Sequence, residues 1–147
     1  MISAGPSLPD RASGAWRYGD SSANSILVIE NNAAIADMLY WALELEGYRA
    51  AEVKGGQAAL DWLDNFFRTG RSPSLILLGV STPWLYTKAF LHDLHEKWNN
   101  MPYKRPPIII LTTLPVEIDN VEHLVVQKPF HIRDLVAEIR QALAAQD

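Results

Sequence analysis

The chain has 147 residues, of which 48% are hydrophobic and 20% charged. That is enough for one packed core and too ordinary for a disordered or fibrous chain. Lys and Arg number 13 against 17 Asp and Glu, a net charge of −4 with no basic block, which argues against a nucleic-acid partner. The absence of cysteine removes disulfides, thiolate metal sites and cysteine nucleophiles. No apolar run approaches the ~18 residues of a membrane helix. No basic-then-apolar leader is visible either, so a cytoplasmic chain without a membrane partner is expected.

Residues 1–24 are rich in Ser, Gly and Pro and poor in large apolar side chains, and are read as a flexible tail carrying two aromatics, Trp16 and Tyr18. Residues 25–147 then alternate strand-like apolar runs with segments of helical period, the pattern of a parallel sheet covered by helices. Ile26 to Ile29 predicts a strand buried on both faces. The helix after it is capped by Asn31 or Asn32, turns Ile35, Met38, Leu39, Ala42, Leu45 and Glu46 inward, and stops at Gly47. Tyr48 to Val53 predicts a second strand, and residues 57–67 a helix burying Ala59, Leu60, Leu63, Phe66 and Phe67. Leu75 to Leu78 is a third strand, followed by a helix with Phe90, Leu91, Leu94 and Trp98 at helical spacing. Ile108 to Leu111 and Leu124 to Val126 are the last strands. A final amphipathic helix places Ile132, Leu135, Val136, Ile139 and Leu143 on one stripe. Right-handed crossovers turn this order into a three-layer α/β sandwich around a five-stranded parallel sheet.

In such a sheet, ligand chemistry gathers at the carboxyl ends of the strands. Here those ends carry Glu30, Asn31 and Asn32, then Gly79, then Thr112 and Thr113, then Lys128, Pro129 and Phe130. The order of elements, together with the runs Ile26 to Glu30, Pro73 to Pro83, Pro107 to Thr113 and Gln127 to Phe130, resembles the receiver domain of two-component response regulators, the CheY-like, flavodoxin-like fold. The resemblance covers about residues 25–145. It implies an acidic pair after the first strand and an aspartate after the third that together hold Mg²⁺, the aspartate taking the phosphoryl group. A hydroxyl residue after the fourth strand and a lysine after the fifth then grip the phosphate. Matched position by position, Glu30 is the first acid, Asn31 replaces the second, Gly79 replaces the phosphoacceptor, and Thr112 and Lys128 keep the two phosphate-sensing places.

These departures set the functional expectations. Glycine offers no carboxylate nucleophile, so no catalytic residue is assigned. Glu30 beside the neutral Asn31 predicts weak or absent Mg²⁺ binding, and no cofactor. Lys128 is expected to pair with Glu30, and the Lys128–Pro129 peptide is cis in the family. Fifteen residues separate Thr112 from Lys128, too few for the family's full fourth helix, which is expected to be shortened or missing. Val125 stands where the family's switch aromatic belongs.

Other features have plainer readings. His92 and His95, with Asp93 and Glu96, read as a solvated helix face, and Gly55-Gly56 as a turn, since no dinucleotide or P-loop pattern surrounds it. Trp84, Tyr40, Trp41 and Val125 are candidate partner contacts. The sequence thus predicts an atypical, or pseudo-, receiver that is not an enzyme and signals through a protein partner, self-association included. With no output domain after Asp147, output is expected to pass through that partner. Two alternatives stand beside this: a phosphorelay receiver using Ser81 or Thr82 as acceptor, and a sensor binding an anion or small molecule in the vestigial pocket of Glu30, Asn31, Gly79, Thr112 and Lys128.

Overall fold

The computed structural model describes residues 24–80, 84–113 and 124–145, apart from the side chains of Trp84 and Leu85. Along the chain run β1 (Ser25–Ile29), α1 (Ala33–Leu45), β2 (Arg49–Val53), α2 (Gly56–Phe67), β3 (Leu75–Val80), α3 (Trp84–Glu96), β4 (Ile108–Thr112), β5 (Leu124–Gln127) and α4 (Ile132–Ala144). The strands form one parallel sheet in the order β2-β1-β3-β4-β5.

The apolar runs of β1, β3 and β4 follow from burial on both faces. Successive side chains alternate sides. Ile26, Val28, Leu75, Leu77, Ile109 and Leu111 therefore pack under α1 and α4 with Leu39, Leu43, Leu135 and Ile139. Leu27, Ile29, Ile76, Leu78, Ile108 and Ile110 pack under α2 and α3 with Leu63, Phe67, Leu91 and Leu94. The result is the expected three-layer α/β sandwich with the flavodoxin-like strand order. The edge strand β5 is thinner, its ends exposed and its middle half-buried.

Each end of α1 is closed by its own sequence. Asn32 caps it by accepting the Ile35 N–H at 3.0 Å. At the other end Gly47 takes a left-handed φ of 91°, which lets the Tyr48 N–H reach the Leu43 carbonyl at 3.0 Å. The inward face differs from the expected one. Ala36, Leu39, Tyr40 and Leu43 are buried, whereas Met38 and Leu45 are 44% and 85% exposed. Both sets keep the i, i+3, i+4 spacing, one residue out of phase. The helix is apolar nearly all round, so periodicity alone cannot choose between them.

Helix α2 buries Ala59, Leu63, Phe66 and Phe67, with Leu60 half-buried, and α4 buries Leu135, Val136 and Ile139. Beyond α3, Trp98 turns into the core, where its ring stands edge-on to Phe67 at 5.3 Å and its Nε1 donates to Ser72 Oγ at 3.0 Å. Ion pairs Lys97–Asp64 and Arg140–Glu46 tie the end of α3 to α2, and α4 to the end of α1.

Four helices lie among the described residues. Residues 114–123, where the shortened or missing fourth helix was expected, lie outside them, as do residues 1–23 of the expected tail. Asn24 is already joined to the sheet, its carbonyl accepting the Arg49 N–H at 2.8 Å.

Candidate functional site

The direction of chain winding reverses between β1 and β3, so the carboxyl ends of these two central strands border the crevice where such sheets place their chemistry. Register brings the sequence-predicted residues together there. Ile29 pairs with Leu78, Gly79 with Leu111, and Val80 with Thr112, which in turn pairs with Gln127. Two backbone bonds fasten the rim: the Glu30 N–H donates to the Val53 carbonyl at 3.0 Å, and the Lys128 N–H to the Thr112 carbonyl at 2.7 Å. The Lys128–Pro129 peptide that follows is cis.

The side chain of Glu30 is 1% exposed and that of Lys128 8%, and Lys128 Nζ donates to Glu30 Oε1 at 2.8 Å. The second oxygen, Oε2, accepts the Asn32 N–H at 3.1 Å. A buried carboxylate is costly unless a charge and hydrogen bonds replace its water, and this one has both. Asn32 serves two structures at once, since its backbone binds Glu30 and its side chain caps α1. Asn31 between them is exposed.

Gly79 explains where the Glu30 carboxylate lies. A Cβ built on residue 79 would collide with Oε1, stand 2.6 Å from Cδ and 3.0 Å from Oε2. Real Cβ atoms essentially never approach other heavy atoms so closely, so the carboxylate fills the volume in which a side chain at position 79 would begin. Thr112 is buried beside them at 1% exposure. Glu30, Gly79 and Lys128 thus form one cluster, which Thr112 adjoins through its backbone links to Val80 and Lys128, with Asn31 exposed at the rim.

Comparison with known proteins agrees with this architecture. No protein-family model matches the chain. It is 31% identical over 134 residues to the "Probable transcriptional regulatory protein SYNPCC7002_A0851" of Picosynechococcus sp., covering 86% of this chain and 51% of that protein. It is also 31% identical over 125 residues to the sensory transduction protein RegX3 of Mycobacterium tuberculosis, covering 81% and 50%. The chain therefore spans about half the length of the curated relatives it matches. Among solved structures, a CheY-like response regulator receiver domain protein from Methanospirillum hungatei superimposes with a TM-score of 0.68 at 21% identity, over 85% of this chain and 97% of that one. The chain has the CheY-like receiver fold.

Within this fold the other candidates fare differently. Tyr40, expected at the surface, is fully buried, because the inward stripe of α1 runs one residue out of phase with the expected one; it is core and not a partner contact. Trp41 is half-buried against the same core, edge-on to Tyr40 at 5.1 Å. Val125 is half-buried and packs on the opposite face. Trp84 opens α3, but its side chain lies outside the described residues, as do Ser81 and Thr82. His92 and Glu96 face each other at 3.4 Å on an exposed surface, and no cluster of three metal-ligating side chains occurs among the described residues. No described helix is long and apolar enough to cross a membrane.

A cleft of about 190 Å³ opens onto this cluster between the ends of β1 and β3 and the starts of α2 and α3, with Glu30, Asn31 and Gly79 in its wall. Lys54, Gly55, Gly56, Tyr86 and Thr87 contribute to its lining. Sequence reasoning passed over Lys54, Tyr86 and Thr87, which belong to no motif. It also missed the Asn32 backbone donor, since an N–H leaves no mark on residue type.

Proposed function

We propose that this receiver domain takes part in two-component or phosphorelay-type signalling by contact with a protein partner, without aspartyl phosphorylation and without enzymatic activity of its own. One observation carries the reading: the Glu30 carboxylate, paired with Lys128, fills the space above Gly79. A phosphoacceptor would need a carboxylate there, and the lysine that would meet a phosphoryl group is already neutralised by a neighbour.

The same donor set argues against a divalent cation. Both Glu30 oxygens are engaged, Asn31 supplies only a neutral amide, and position 79 supplies no side chain. Mg²⁺ asks for a near-octahedral shell of oxygens with one or two free carboxylates, which these residues do not offer.

Relatives named as a sensory transduction protein and a transcriptional regulatory protein support a signalling partner: another protein of such a pathway, or a second copy of this chain. An anion sensor built on the vestigial pocket is disfavoured, because Glu30 already occupies it. Incubating the full chain with acetyl phosphate and Mg²⁺, followed by intact mass measurement, tests the reading. An unmodified mass is expected. A phosphoryl adduct on any residue, Ser81 and Thr82 included, refutes it.

A further inference from the structure

We infer that the segment Trp16-Arg17-Tyr18 docks on the outward face of α1 and covers an apolar stripe there. The contact involves no residue of the strand-end site and does not depend on the function proposed above.

The stripe lies opposite the core. Ala36, Leu39, Tyr40 and Leu43 are the buried residues of α1. On its far side Met38, Trp41 and Leu45 follow at i, i+3 and i+7, with Met38 44% exposed, Leu45 85% exposed and Trp41 half-buried. Single exposed apolar side chains are ordinary, but three on one helical line form a surface that gains by being covered.

Charge selects the occupant. Helix α1 and its C-cap carry Asp37, Glu44 and Glu46 and no basic residue. Glu46 is paired with Arg140 of α4, and a turn of 3.6 residues puts Asp37 and Glu44 together on the other flank of the stripe. A second copy packed stripe to stripe would set these acids against acids in either orientation, which costs free energy. A basic, aromatic segment fits instead. Trp16 and Tyr18 are the only aromatic residues before β1, and Arg17 stands between them. Trp, Tyr and Arg are the residue types that most often anchor interfaces.

The segment also joins the fold at the right place. The Asn24 carbonyl accepts the Arg49 N–H at 2.8 Å, and just before Arg49 the Tyr48 N–H turns back to the Leu43 carbonyl at 3.0 Å. The chain therefore enters β1 beside the C-terminal end of α1, where Leu45 lies. Tyr18 and Trp16 precede Asn24 by six and eight residues. Extended, those stretches reach roughly 20 and 26 Å. The stripe from Leu45 to Met38 is about 10 Å long, so both aromatics can lie on it with Arg17 towards Asp37 and Glu44. Another protein that binds this face of α1 has to displace the segment first.

The test is NMR on the full chain with 13C-labelled methionine methyl groups. Met38 should show nuclear Overhauser contacts to the rings of Trp16 or Tyr18, unchanged on dilution and absent between copies in a mixture of labelled and unlabelled chain. Trp16→Ala with Tyr18→Ala should move the Met38 methyl signal and leave that of Met101, between α3 and β4, in place. Arg17→Glu should lower the docked-to-free ratio about fivefold, because it turns attraction to two exposed acids into repulsion. Leu45→Lys, at an exposed position, should release the segment from the other side, with the amide spectrum of the sheet unchanged as the control for folding. A Met38 signal indifferent to the double variant, no contact between Met38 and either ring, or contacts found only between copies would overturn the proposal, the last by making a second copy the occupant.

Discussion

The carboxylate of Glu30 and the missing side chain of Gly79 are two halves of one arrangement: the glutamate reaches across the end of β1 into the volume that glycine leaves empty at the end of β3. Lys128 then closes the space from the third side, 2.8 Å from Oε1. Each residue makes sense of the other two.

The pair should be coupled in stability. Lys128→Met leaves a carboxylate buried without its cation and should cost about 3–5 kcal/mol. Glu30→Gln with Lys128→Met together should recover most of that loss, because no uncompensated charge remains. Urea denaturation of both singles and the double measures the coupling. Strictly additive effects would show the two charges to be independent.

Gly79→Asp alone should not create a phosphoacceptor. Its Cβ collides with the Glu30 carboxylate, and a second carboxylate in the same space repels the first. Adding Asn31→Asp and Glu30→Asp shortens the obstructing side chain and supplies a second acid. Only this triple variant should gain a phosphoryl group from acetyl phosphate and Mg²⁺, read by intact mass. Phosphorylation of the single variant would show that Glu30 moves aside freely.

Tyr40→Ala should destabilise the fold by about 3–5 kcal/mol, as for other large aromatic truncations in cores. Trp41→Ala, half-buried, should cost less. Thermal unfolding of the two variants side by side checks the order, and the reverse order would contradict the observed phase of α1.

At the other end of α1, Gly47→Ala should cost about 1–2 kcal/mol, since φ of 91° is disfavoured for a residue with a Cβ. A Cβ there meets nothing within 4 Å, so crowding contributes nothing. A Tm equal to that of the wild type would show that the turn relaxes.

The fold was legible wherever burial on two faces or one stripe left a clean pattern. Ile26 to Ile29, Leu75 to Leu78 and Ile108 to Leu111 could only be central strands, and Leu135, Val136 and Ile139 only the inner face of a helix. Helix α1 was misphased because apolar residues surround it, so the choice between Met38 and Tyr40 rests on tertiary fit. At the site, residue type announced that Gly79 lacks a nucleophile and that Lys128 has an acid nearby. That the glutamate swings into the space over the glycine is a matter of side-chain conformation, which no spacing encodes.

The Glu30–Lys128 contact joins positions 98 residues apart. During synthesis, β1 emerges from the ribosome long before its countercharge does. Until Lys128 is translated, the nascent chain lacks the cation that lets Glu30 leave water, so the central crevice cannot seal vectorially and its closure waits for the segment that follows β5.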